Sequence, residues 1–138
     1  VLTVSIHGHP SFAFPYFSGF ADERGEGAGK GFNINYPLPE TINAERYLAT
    51  LDGALKHLRA FRPAHLVVCL GLDTAKGDPT GSWPLRGPVY KEIGLRIAAV
   101  NVPTVVVQEG GYDNRTIGAN ARQFFTGLCA GEDGRPCA

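Results

Sequence analysis

The 138-residue chain carries 13 basic and 13 acidic residues for a formal charge of zero, with 43% hydrophobic and 19% charged residues. Those values describe a folded globular domain with a real core rather than a disordered segment. They argue against a nucleic-acid partner, which needs a basic surplus on one face, and no apolar run approaches the roughly 20 residues of a membrane span.

Leu2-Thr3-Val4-Ser5-Ile6 alternates as a strand, and His7-Gly8-His9-Pro10 ends it. From residue 8 to about 31 the chain is rich in glycine and aromatics without helical or strand period, a loop long enough to be functional or pinned by partners. Residues 32–36 read as a short strand closed by Pro37-Leu38-Pro39. Leu48, Leu51, Leu55 and Leu58 make one apolar stripe and predict a helix over about 44–61, with Asn43 as N-cap, Glu45 in the first turn and Pro63 as the stop. Gly53 inside it suggests close packing.

His65-Leu66-Val67-Val68-Cys69-Leu70 is almost continuously apolar, as expected of a strand covered on both faces. A second helix begins near Pro88, a favoured first helical residue, and buries Val89, Ile93, Ile97 and Val100. Thr104-Val105-Val106-Val107 is another two-face strand, and a last helix over about 116–129 packs through Ile117, Ala121, Phe124 and Leu128. About 130–138 reads as a loose tail of a single domain spanning 1–138. The alternation of strands and helices implies an α/β fold with a parallel sheet and right-handed crossovers.

No charged-then-apolar leader opens the sequence. Cys69, Cys129 and Cys137 form an odd set without paired spacing, which points to reduced thiols in a cytoplasmic protein; Cys69 reads as a small core residue and Cys137 as incidental. Methionine is absent, as in a chain that is processed, excised from something longer or numbered after its start codon.

Parallel strands place their following loops on one side of the sheet. Here that edge collects His7, His9, Asp73, Asp78 and Tyr112. A carboxylate, imidazoles and a phenol suggest metal-assisted hydrolysis with an oxyanion donor. Asp73 equally suits bracing its own loop, and Tyr112 a packed aromatic with a satisfied hydroxyl. His7 and His9 point the same way on an extended segment. Two histidines without further ligands nearby more often serve structure, since zinc takes three or four protein ligands. Gly25, Gly27, Gly29 and Gly31 fail as a phosphate loop, because Arg24 and Lys30-Gly31 break the Walker pattern; they read as a tight loop.

Val4-Ser5-Ile6-His7-Gly8, Phe12-Ala13-Phe14-Pro15-Tyr16-Phe17, Gly27-Ala28-Gly29-Lys30-Gly31-Phe32, Gly71-Leu72-Asp73 through Gly77-Asp78-Pro79, and Glu109-Gly110-Gly111-Tyr112 follow one another at characteristic intervals. In these five segments, over Val1 to about Leu128, the chain resembles the histone deacetylase superfamily. It is nearest there to the bacterial acetylpolyamine amidohydrolases, and Glu109 before the two glycines favours the amidohydrolase and class II side.

The resemblance implies the three-layer, parallel-sheet fold of the arginase/deacetylase type. It makes Asp73 the second carboxylate ligand of a catalytic zinc and Tyr112 the catalytic phenol that polarises the acetyl carbonyl. It makes Phe14 a wall of the substrate tunnel and Gly110 and Gly111 its bottom, and places Ser5 and the Ile6 carbonyl at a structural potassium. The substrate would be an acyl-lysine or an acetylpolyamine.

The family's paired histidines and its Asp-x-His zinc ligands lie upstream of the region matched here. His9 stands where relatives often carry an acid, and Leu85-Arg86-Gly87-Pro88 departs from the usual helix entry. The expectation is therefore the C-terminal part of such a zinc hydrolase, inactive as this chain alone. The alternative is a stand-alone, non-catalytic binding or assembly module derived from that fold. The strand bearing Asp-x-His would lie between the strands at 2–6 and 66–70. Without it those two pair directly or another chain fills the gap, so a homo-oligomer or a missing N-terminal half is expected as partner.

Overall fold

The computed structural model describes residues 1–81 and 83–131. The predicted tail, with Cys137, lies outside them beyond Gly131. The predicted strands and helices are present in the predicted order: β1 (Thr3–Gly8), β2 (Asn33–Leu38), α1 (Ala44–Phe61), β3 (Leu66–Leu70), α2 (Gly87–Ala98), β4 (Thr104–Gln108) and α3 (Ile117–Ala130), and the loop between β1 and β2 holds in addition a 3-10 turn (Gly27–Gly29) that the sequence did not predict.

Local chemistry explains the boundaries. The Asn43 side chain accepts a 2.8 Å hydrogen bond from the Arg46 backbone N–H and so caps α1. The helix ends one residue before Pro63 at Arg62, which takes a left-handed φ of 54° while its N–H reaches the Leu58 carbonyl. Pro88 enters α2 in its first turn, where a missing N–H costs nothing.

Every strand pair is parallel, but the strands form two separate pairs, β1–β2 and β3–β4, rather than one sheet. β1 and β3 do not pair among the described residues, so the direct-pairing alternative is not realised.

One core serves the molecule. Leu51 and Leu55 of α1, Leu70 of β3, Leu72, Trp83, Leu85, Tyr90, Ile93 and Ile97 of α2, and Phe124 of α3 are all buried in it. α2 and α3 cross with their backbones in contact. A Cβ on Gly94 would collide with the Phe124 carbonyl, and one on Gly127 with the Lys91 carbonyl. Gly53 has no such role, because a Cβ there would meet the Tyr36 hydroxyl at an ordinary 3.6 Å.

The two-face reading of β3 and β4 is corrected. Val68, Leu70 and Val106 pack on the core, whereas Val67, Val105 and Val107 are 63%, 61% and 45% exposed and Cys69 is exposed beside them. Side chains alternate along a strand, and among the described residues only one face of this pair is covered. Cys69 is thus a free surface thiol rather than core filling. Cys129 is disulfide-bonded, so the reduced-thiol reading holds for Cys69 and not for Cys129.

The long segment between β1 and β2 is held by polar side chains of those strands. His7 Nε2 donates to the Gly19 carbonyl at 2.8 Å, and its Nδ1 is hydrogen-bonded to Ser5 Oγ at 2.7 Å. Asn33 and Asn35 donate to the Glu23 and Phe20 carbonyls at 2.7 and 3.0 Å. His9 is engaged with Ser11 instead, at 2.8 Å. Both histidines therefore fasten this loop.

Candidate active site

The loops leaving β3 and β4 are stitched together beyond the strands themselves. Glu109 N–H donates to the Leu70 carbonyl at 3.0 Å and Leu72 N–H to the Gly110 carbonyl at 2.8 Å. This ladder sets Asp73 beside Gly110. The carboxylate occupies a niche that side chains would fill: a Cβ on Gly110 would fall on the Asp73 carboxylate, and one on Gly81 on the Asp73 carbonyl. Glycine at 110 and 81 is thus required by the packing around Asp73.

Asp73 is half-buried. Burial pushes its pKa above the ordinary carboxylate value, and the negative charges of Asp78 and Glu109 push the same way against hydrogen bonds from its own and the Thr74 backbone amides. Behind it, burial and then the Asp73 charge push the Tyr47 hydroxyl up to about 12. Burial above all raises Tyr90 as well, although its hydroxyl is 2.8 Å from Thr74 Oγ1. The Glu109 carboxylate accepts from the Cys69 thiol and holds that thiol's pKa up. The neighbourhood is electronegative, and no ion pair reaches Asp73 among the described residues.

Asp78, five residues on, has the opposite character. It is 6% exposed. Its Oδ1 accepts from the Thr80 N–H and hydroxyl at 2.9 Å each, and its Oδ2 from the N–H of Tyr112 at 2.6 Å and of Asp113 at 3.1 Å. Burial pushes its pKa up, but these donors outweigh burial and hold it below the ordinary value. Asp113 in turn starts α3: its carbonyl accepts from the Thr116 and Ile117 N–H groups at 3.0 Å, and its Oδ2 from the Thr116 hydroxyl at 3.0 Å.

Tyr112 projects from this segment, 57% exposed, and its hydroxyl has no hydrogen-bond partner among the described residues. It is not the packed aromatic with a satisfied hydroxyl. Asp73, Gly110, Gly111 and Tyr112 therefore share one edge. Ser5, Ile6 and Phe14 stand on or after β1, and no hydrogen bond or ring contact joins them to Asp73 or Tyr112 among the described residues. Phe14 is 85% exposed and touches Tyr16 edge-on. Two open clefts of about 430 and 420 Å³ lie elsewhere, against β2, and neither includes Asp73, Phe14 or Tyr112.

Asp73 fits the neighbourhood of a cation, being a half-buried carboxylate raised by burial and then by the negative charges of Asp78 and Glu109. Zinc needs three or four protein donors, and no group of three or more His, Cys, Asp or Glu stands ready to hold a metal among the described residues. Among the described residues this stretch does not complete a zinc site.

The linking role of Asp78, the Tyr47–Tyr90–Thr74 backing and the need for glycine at 81 were not read from the sequence. Asp78-Pro79-Thr80 does carry a local signal, since an aspartate accepting from the N–H two residues on is an Asx turn.

The histone deacetylase domain family matches residues 1–128. Acetylpolyamine amidohydrolase 1 of Pseudomonas aeruginosa is 46% identical over 127 residues, covering 92% of this chain and 37% of that protein. The crystal structure of acetylpolyamine aminohydrolase from Burkholderia pseudomallei superposes with a TM-score of 0.92 at 43% identity, over 94% of this chain and 38% of that one. That of an HDAC homolog from Aquifex aeolicus gives 0.83 at 30% identity, over 100% and 36%. The chain thus spans little more than a third of the length of the relatives it matches.

Proposed function

The chain belongs to the histone deacetylase domain family, and from that premise we propose that it is the C-terminal part of a zinc-dependent amidohydrolase that removes acetyl groups from acyl-lysine or acetylpolyamine amines. The observation that carries this reading is the shared edge: a carboxylate kept in a glycine niche, with an unengaged phenol on the neighbouring loop.

Asp73 serves as one ligand of a zinc whose remaining donors come from outside this stretch. When bound, the metal supplies Lewis acidity and an activated water. Tyr112 donates its hydroxyl in a hydrogen bond to the acyl oxygen as negative charge develops there; among the described residues the phenol has no competing hydrogen-bond partner. Gly110 and Gly111 leave room at the bottom of the tunnel, Phe14 forms part of its wall, and Ser5 with the Ile6 carbonyl holds potassium. The exposed β3–β4 face and the unpaired edges of β1 and β3 are closed by the part of the protein that the longer relatives also possess. By itself this chain is expected to turn over no acetylated amine.

The test is Tyr112→Phe in the full-length polypeptide. Loss of one oxyanion donor lowers kcat by about 100-fold or more; near-normal turnover overturns the assignment. The bare apolar face also suits a second reading, a non-catalytic module that assembles with a second copy through that face. That reading predicts a dimer in sedimentation of this chain, and no zinc-dependent turnover by the natural polypeptide.

A further inference from the structure

The geometry points to Asp78 as a positioning residue that sets where the Tyr112 phenol stands. This inference rests on the catalytic reading of Tyr112 above.

The polar contacts that place Tyr112 among the described residues are made by its backbone. Among the described residues its hydroxyl makes no hydrogen bond and its ring stacks on no other ring. Its position is inherited from its own backbone. That backbone follows Gly110-Gly111, where Gly111 has a φ of +135° and a Cβ would collide with Ile117 and approach Leu72 at 3.0 Å. Glycines give the chain access to this turn but least restrict its direction.

Direction is supplied from the other loop. Asp78 Oδ2 takes the Tyr112 and Asp113 N–H groups together, at 2.6 and 3.1 Å. Oδ1 is fixed by the Thr80 N–H and hydroxyl, so the carboxylate itself has little freedom. Asp78 N–H is anchored on the Ala75 carbonyl at 3.1 Å, within the stretch that Lys76 N–H ties to the Leu85 carbonyl at 2.8 Å. Hydrogen bonds to a buried charge are among the strong ones. One side chain therefore spaces the phenol from Asp73, because Asp73 and Asp78 ride on the same loop.

Substitution by asparagine tests this with little change of shape. An amide presents an oxygen to only one of the two donor pairs and turns an NH2 group on the other. In the full-length polypeptide, Asp78→Asn should lower kcat for an acetylpolyamine by about 10- to 100-fold, with KM and bound zinc close to wild type. In a Tyr112→Phe background the same substitution should cost less than about 3-fold, because a removed phenol has no position to lose. Near-wild-type kcat for Asp78→Asn beside a crippled Tyr112→Phe overturns the inference and leaves the functional reading standing. Equal losses in both backgrounds overturn it too, by showing general damage to the fold. An inert Tyr112→Phe brings down the functional reading, and this inference with it. If Asp78→Asn does not fold, Thr80→Val removes one donor to Oδ1, and a loss of kcat that vanishes in the Tyr112→Phe background is again the expected result.

Discussion

The two faces of the β3–β4 pair are built from nearly the same residues and meet opposite surroundings. On one side Val68, Leu70 and Val106 join Leu55, Ile93, Ile97 and Phe124 in the core. On the other Val67, Val105 and Val107 lie open with Cys69. Composition is not what distinguishes them. The covered face has α1 and α2 packed over it, and the α2–α3 crossing leaves no room for a methyl group. An apolar face of this kind is a demand for a partner, and the structure meets that demand on one side only.

The largest expected effect tests the covered side. Gly127→Val drives a side chain onto the Lys91 carbonyl and should destabilise the chain by about 3 kcal/mol or more in a urea titration; a loss below about 1 kcal/mol would mean that the crossing is slack. A smaller effect tests the open side. Val105→Thr keeps strand propensity and shape, so in this chain alone it should change stability by less than about 0.5 kcal/mol. In the full-length polypeptide it should cost about 1–3 kcal/mol, because the added hydroxyl is then buried. Equal costs in the two settings would show that nothing covers this face.

The smallest effect sharpens the same contrast at the strand ends, where Asp73 and Asp78 shift in opposite directions. Asp78, with its folded pKa lowered, contributes stability that is complete above the ordinary carboxylate value of about 3.9 and is lost as pH falls through its lower folded value. Asp73, with its folded pKa raised, opposes folding while ionised, and that opposition is relieved as pH falls through its raised value. Acid titration of stability should therefore lose part of its steepness at the low end in Asp78→Asn. In Asp73→Asn it should instead steepen near and just above pH 4; the reverse pattern would contradict the geometry.

Much of this was legible. The span and caps of α1 follow from a leucine stripe bounded by Asn43 and Pro63, all local signals. Asp73 and Tyr112 were found on one edge because parallel topology puts loops after strands there. Pattern could not show that Val67 and Cys69 are open, because an apolar run records what a strand is built to touch, not whether the toucher is present. The roles of Gly94 and Gly127 depend on which helix crosses which, a relation between residues some thirty apart. The sequence puts Asp78 on the same edge as Asp73 and Tyr112, but its bond to the Tyr112 N–H joins residues 34 apart and has no local signal.

The glycine crossing also couples the two loops that carry Asp73 and Tyr112. The loop bearing Asp73 runs into α2 and the loop bearing Tyr112 into α3, and those helices touch backbone to backbone at Gly94 and Gly127. Any shift of one helix against the other would have to break that contact, so the expectation is that Asp73 and Tyr112 shift together. The segment between β1 and β2 that carries Phe14 is fastened differently, by side-chain hydrogen bonds from His7, Asn33 and Asn35 to its carbonyls.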